Sequence, residues 1–161
     1  MNSLSQLLAD QLNKIKLTYI FLVVALFGFL DATYLTFEHL LGFSVGCSIV
    51  DGCDKVLSST YSTILGFPTA SLGMAYYLIM LFLSFLYINT QKVKVATLFS
   101  RLSVLGFIFS IWLVYLQIAV IKAICIYCMF SALSSTALFI LGIFILKAKD
   151  GKNVRKNNDL L

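Results

Sequence analysis

Four uninterrupted apolar stretches, at about residues 17–37, 67–88, 98–121 and 124–146, constrain this chain more than any other feature. Each is long enough to cross roughly 30 Å of hydrocarbon at about 1.5 Å per helical residue. With 60% hydrophobic and 12% charged residues, the composition is not that of a water-soluble domain. The four spans and their connections use most of the 161 residues, which leaves no room for a separate soluble domain. In lipid the backbone must satisfy its own polar groups, so only helices and closed barrels can span. Runs such as IFLVVALFGFL and ALFILGIFIL lack the alternation that a barrel strand requires. The expected fold is therefore an all-α membrane protein, a bundle of four transmembrane helices with an outer cysteine-bearing loop and a short interfacial helix.

The distribution of basic residues gives that bundle a direction, because Lys and Arg concentrate on the cytoplasmic side. Ten of the twelve fall together: Lys14 and Lys16 before the first span, Lys92, Lys94 and Arg101 at the second turnaround, and Lys147, Lys149, Lys152, Arg155 and Lys156 after the fourth. Only Lys55 and Lys122 lie opposite, set against Glu38, Asp51 and Asp54. The pattern expects residues 1–16 as a cytoplasmic segment, 17–146 as the membrane domain and 147–161 as a basic cytoplasmic tail, frayed beyond residue 150. The loops at about 38–66 and 121–124 then face the extracytoplasmic side of an inner membrane. The first span is too long for a secretory signal and no small-residue cleavage site follows it, so it reads as retained.

Pro68 falls where the second span should begin, a position that tolerates a missing N–H. Between Cys53 and Gly66, Val56, Leu57, Tyr61, Ile64 and Leu65 gather near one helical face, which suggests a short helix lying on the membrane surface and capping the bundle. The fourth span carries a run of small residues, SALSSTA from Ser131 to Ala137, that lets helices approach closely. His39 sits at the outer boundary beside Glu38, in a structural role. No glycine pattern for nucleotide or phosphate is present, and nothing points to nucleic acid.

The chemistry lies in the cysteines. Cys47 and Cys53 form one close pair, Cys125 and Cys128 another, and the topology carries all four to the outer face. Cys125-Ile126-Tyr127-Cys128 is a CxxC opening a helix, where unpaired N–H groups stabilise a thiolate. Such a disulfide closes a small ring and suits a redox carrier better than a permanent staple. The first pair spans a loop flanked by Gly46 and Gly52, which suits movement between two partners. An alternative is a non-catalytic scaffold or redox sensor in which the four thiols hold zinc. Against it, five residues separate the first pair and the CxxC is built into a helix start.

The order of these features resembles the vitamin K epoxide reductase family in its bacterial form. The resemblance covers nearly the whole chain: four spans, a first outer loop reading GCSIVDGCDKVLSS, the entry motif GFPTASLG, and CIYC at the last helix, with Ser59 six residues beyond Cys53. The DsbB type of dithiol oxidase places its CxxC in the first outer loop instead. What the resemblance implies is a disulfide-generating oxidoreductase. Electrons would pass from a separate thioredoxin-like, DsbA-like periplasmic protein to Cys47 and Cys53, then to Cys125 and Cys128, and finally to a quinone of the ubiquinone or menaquinone type. It also implies that Ser59 assists at the quinone. The animal enzymes carry a tyrosine four residues beyond the CxxC, where this chain has Ala132, which favours plain quinone reduction over epoxide reduction.

The quinone should sit among the outer halves of the helices, with Cys128 one turn deeper than Cys125. Phe67, Trp112 and Tyr115 are candidate wall residues, the last two sharing a face three residues apart. Asp31, a carboxylate inside the first span, is a candidate proton donor to the reduced quinone, since such groups are costly in lipid and face protein or water.

Overall fold

The structure, a computed structural model, describes residues 2–41, 52–64 and 66–158. Its order is helix α1 (Asn2–Leu41), the short helix α2 (Gly52–Leu57), a 3₁₀ turn (Thr60–Ser62), a minimal two-stranded pairing of β1 (Thr63–Ile64) with β2 (Phe67–Pro68), and helices α3 (Thr69–Thr90), α4 (Val93–Tyr115) and α5 (Ile126–Asn158). A π-helical segment, Leu116–Ile121, extends α4. Four stretches are long and apolar enough to cross a membrane: Ile15–Leu41, Thr69–Thr90, Lys94–Ile121 and Ile126–Leu146. These match the expected spans within a few residues.

Three boundaries differ from expectation. Residues 2–14 continue α1, and α5 runs on to Asn158 where a frayed tail was expected from residue 150. No proline interrupts either extension, and adding residues to an existing helix is far easier than nucleating one. The expected surface helix between Cys53 and Gly66 is broken. It stops at Leu57 because the Ser59 hydroxyl and the Ser59 amide both donate to the Val56 carbonyl, at 2.7 and 3.3 Å, a local bond that competes with helix continuation. The chain then reverses through Gly66, whose φ of +83° suits glycine. Pro68 stands just before α3 rather than within it, and Thr69 ties this entry down by donating to the Ser62 carbonyl at 2.8 Å.

The bundle is solid in its inner half, meaning the end away from the cysteines, and hollow in its outer half, the cysteine end. Phe21, Met80, Tyr87, Phe99, Leu138 and Ile145 fill the inner half, with the Phe21 and Phe99 rings 5.0 Å apart and Tyr87 edge-on to Phe99 at 5.6 Å. Small residues let the helices close: Ser100 of α4 donates to the Gly142 carbonyl of α5 at 2.9 Å. Large side chains such as Phe27, Phe82, Leu105 and Leu133, all more than 60% exposed, form the outer surface, which suits lipid as the surrounding solvent.

Tyr77 pins α1, α3 and α5 together. Its ring lies against Gly28, where an added Cβ would overlap it. Its hydroxyl donates to the Ser131 carbonyl at 2.7 Å and lies 2.7 Å from Ser134 Oγ. Gly28→Ala should therefore lower the thermal unfolding midpoint in detergent, by an overpacking cost of about 1–3 kcal/mol. Gly73→Ala, where a Cβ meets only Ala32 at 3.7 Å, should leave the midpoint nearly unchanged.

Candidate functional site

The site is assembled where α4 ends and α5 begins. The π-helical turn widens the chain at Leu116–Ile121, and the Gln117 carbonyl accepts the amides of both Lys122 and Ala123, the latter at 3.1 Å. Lys122 takes a left-handed conformation, φ +52°, which turns the chain into the segment leading to Cys125. Single turns of this kind recur at functional sites. Gln117, 3% exposed, reaches back with its side chain: Oε1 accepts the Cys125 amide at 3.0 Å.

Cys125 then caps α5. Its carbonyl accepts the Met129 amide at 3.0 Å, and its sulfur accepts the Cys128 amide at 3.4 Å, the place that a serine or aspartate oxygen takes at an ordinary helix start. The Cys125 thiol is pulled down from 9.0 to about 7. The hydrogen bond from the Cys128 side chain contributes most; burial opposes it, the amides of Cys128 and Tyr127 add to it, and the Asp31 carboxylate works weakly against ionisation. The helix start thus does what the CxxC position implied.

The loop cysteine meets this pair. Cys53 of α2 and Cys125, both fully buried, belong with Val56 to one packed cluster, against which Ile121, Ala123, Tyr127 and Cys128 rest. Cys53 is disulfide-bonded, whereas Cys125 and Cys128 are free thiols. Cys47, the fourth cysteine, lies outside the described residues. Among the described residues, no group of three or more His, Cys, Asp or Glu side chains is placed to hold a metal ion.

Beneath the cysteines a cavity of about 690 Å³ opens between the outer halves of the helices. Cys128 lies on its wall, with Ser59 and Leu57 from above, Tyr76 and Tyr77 from α3, and Trp112 from α4. Of the residues named from the sequence as quinone contacts besides the cysteines, Ser59 and Trp112 thus reach the cavity. The Ser59 hydroxyl spends its proton on the Val56 carbonyl, leaving its oxygen as an acceptor.

Tyr115 does not reach it. This side chain is 61% exposed and absent from the lining, because the cavity face of α4 runs through Phe109, Trp112, Leu113 and Leu116, and a residue three positions beyond Trp112 sits about 60° around the helix from it. Asp31 is also absent from the lining. One of its oxygens is buried without a hydrogen bond. The Phe67 side chain lies outside the described set. Gln117 was not anticipated; its signal was a lone amide in an otherwise apolar span.

A family model described as Vitamin K epoxide reductase family matches residues 19–143, from the first membrane turns of α1 to the last of α5.

The Cys125 environment fixes a pH dependence. Because its pKa is lowered to about 7, the thiolate predominates above neutrality and is lost as pH falls through that value. In reduced protein carrying Cys47→Ala and Cys53→Ala, thiolate ultraviolet absorbance should rise with a midpoint near 7. Adding Cys128→Ala removes the largest cause and should move that midpoint upward.

Proposed function

The chain belongs to the vitamin K epoxide reductase family, and on that premise we propose that it generates disulfides for a thioredoxin-like protein outside the cytoplasm at the expense of a membrane quinone. Membership makes it a multi-pass membrane thiol–disulfide oxidoreductase that works with quinone. The electron path, the partner and the orientation are our reading. The observation that carries it is the burial of Cys53 and Cys125 in one cluster, with Cys128 both packed against that cluster and on the cavity wall.

In this scheme a partner thiolate attacks the loop disulfide at Cys47, and the partner's second thiol resolves the mixed disulfide, so the partner leaves oxidised and Cys47 and Cys53 are left as thiols. Cys53 then attacks Cys125 of the oxidised CxxC, releasing Cys128 as a thiolate. Cys47 attacks Cys53, re-forming the loop disulfide and expelling Cys125. The lowered Cys125 pKa favours this last step, since a less basic thiolate leaves faster. The loop is then oxidised and the CxxC reduced, the state in which Cys53 is bonded and the other two are free.

The cavity suits a quinone head: apolar walls, one reactive sulfur at its end and a few polar groups. When bound, a quinone supplies the acceptor for two electrons and two protons. Cys128 lies against it, and closing the Cys125–Cys128 disulfide returns the site to its starting state. Asp31, within charge range of both thiols, takes up a proton at the cysteine end rather than delivering one at the cavity wall. The basic clusters put both termini in the cytoplasm and the cysteines opposite.

Purified protein given a reduced thioredoxin-like dithiol protein and a soluble quinone should consume the quinone's ultraviolet absorbance over many turnovers. Cys53→Ala should stop turnover, and its lone Cys47 thiol should form a mixed disulfide with the dithiol protein supplied in its oxidised form, displacing one thiolate of the partner's disulfide. Absence of turnover in the unsubstituted protein, or trapping on Cys125, would contradict the scheme.

A further inference from the structure

The cavity wall carries a titratable group that the scheme above leaves unused. Ala32, Leu35 and His39 are spaced three and four residues apart on α1, one face of that helix, and all three line the cavity. His39 is the outermost, about 10 Å along the helix from Ala32. It is partly buried and lies two residues before α1 ends at Leu41, so the cavity and the outer rim are both close to it. Cys128, the third residue of α5, lines the cavity from the same end.

The reduced cysteine pair is one proton short of what it has to deliver. Above neutrality Cys125 is a thiolate, and the remaining proton stays on Cys128, whose side chain donates to the Cys125 sulfur. Turning a quinone into a quinol takes two electrons and two protons. Closing the Cys125–Cys128 disulfide supplies both electrons but only the Cys128 proton, so the second proton has to come from the wall. Asp31 is not on it. The other titratable side chains that line the cavity are Tyr61 of the 3₁₀ turn and Tyr76 and Tyr77 of α3, and phenols as a class keep their protons through the neutral range. Tyr34 and Glu38 share α1 with His39, and Lys55 lies on α2, but none of the three lines the cavity. Imidazole is the side chain suited to hold and release a proton around neutral pH.

We propose that His39 is a catalytic acid for the reduction half of the reaction, protonating one quinone oxygen as the Cys125–Cys128 disulfide closes. This rests on the quinone reading above and deepens it. In the balanced step the Cys125 thiolate, the Cys128 thiol and the His39 imidazolium become the Cys125–Cys128 disulfide and neutral imidazole. Two electrons pass from the sulfurs, and two protons pass to the quinone, one from Cys128 and one from His39, to give the quinol. The net charge is zero before and after. His39 then regains a proton from water at the outer rim, without opening the packed inner half of the bundle.

His39 is the only histidine in the chain, so diethylpyrocarbonate, read by the ultraviolet absorbance of the carbethoxy-imidazole, reports on it alone in full-length protein purified in detergent without a histidine tag. In oxidised protein, where bound quinone cannot turn over, a saturating short-tailed and fully ring-substituted benzoquinone should slow the modification several-fold. In reduced protein mixed with that quinone, His39→Gln should lower single-turnover quinol formation about 100-fold, the lower end of what a positioned acid contributes, with little change in equilibrium affinity for the quinone. The unsubstituted rate should rise with pH as Cys125 ionises and fall again as the imidazolium is lost; His39→Gln should keep the rise and lose the fall. Equal modification with and without bound quinone, a His39→Gln rate close to the unsubstituted one, or an affinity that collapses in the variant would overturn this proposal and leave the quinone reading intact. Absence of saturable quinone binding to the unsubstituted protein would overturn both.

Discussion

Everything functional in this molecule depends on how Cys125 is seated. Three separate elements converge on it: α2 brings Cys53 into the same buried cluster, the π-helical turn supplies Gln117 to hold its amide, and the first turn of α5 directs an amide at its sulfur. The seat has two effects. It buries a thiol that a loop cysteine can nonetheless touch, and it lowers that thiol's pKa to about 7, chiefly through the hydrogen bond from the Cys128 side chain. A sulfur that is both a target for attack and a good leaving group suits a relay position.

The rest of the fold serves that seat by dividing labour along the membrane normal. The inner half packs aromatic and aliphatic side chains against one another and fixes the helices. The outer half leaves about 690 Å³ open under the cysteines. Tyr77 joins the two zones, since its ring closes on Gly28 and its hydroxyl saturates the Ser131 carbonyl.

How much of this is legible in the sequence varies with how local the cause is. The four spans follow from length and hydropathy because the bilayer imposes both, and the CxxC declares its position on the helix by spacing alone. The broken loop helix is less legible: Val56, Leu57 and Tyr61 keep helical periodicity, yet Ser59 bonds back to Val56 and ends the helix there. Gln117 could be noticed only as an isolated amide, since the π-helical turn that aims it arises from tertiary packing. Tyr115 is less legible too, because sharing a helix face with Trp112 does not settle which of the two lines the cavity and which is exposed on the outside of the bundle.

The central claim is that Cys53 exchanges directly with Cys125. Protein carrying Cys47→Ala and Cys128→Ala retains only these two cysteines and, on mild oxidation in detergent, should form an intramolecular disulfide rapidly and in high yield, identified by mass spectrometry of the joined peptides. If both thiols stay unjoined under conditions that oxidise the unsubstituted chain, or link only between molecules, the relay described here is wrong.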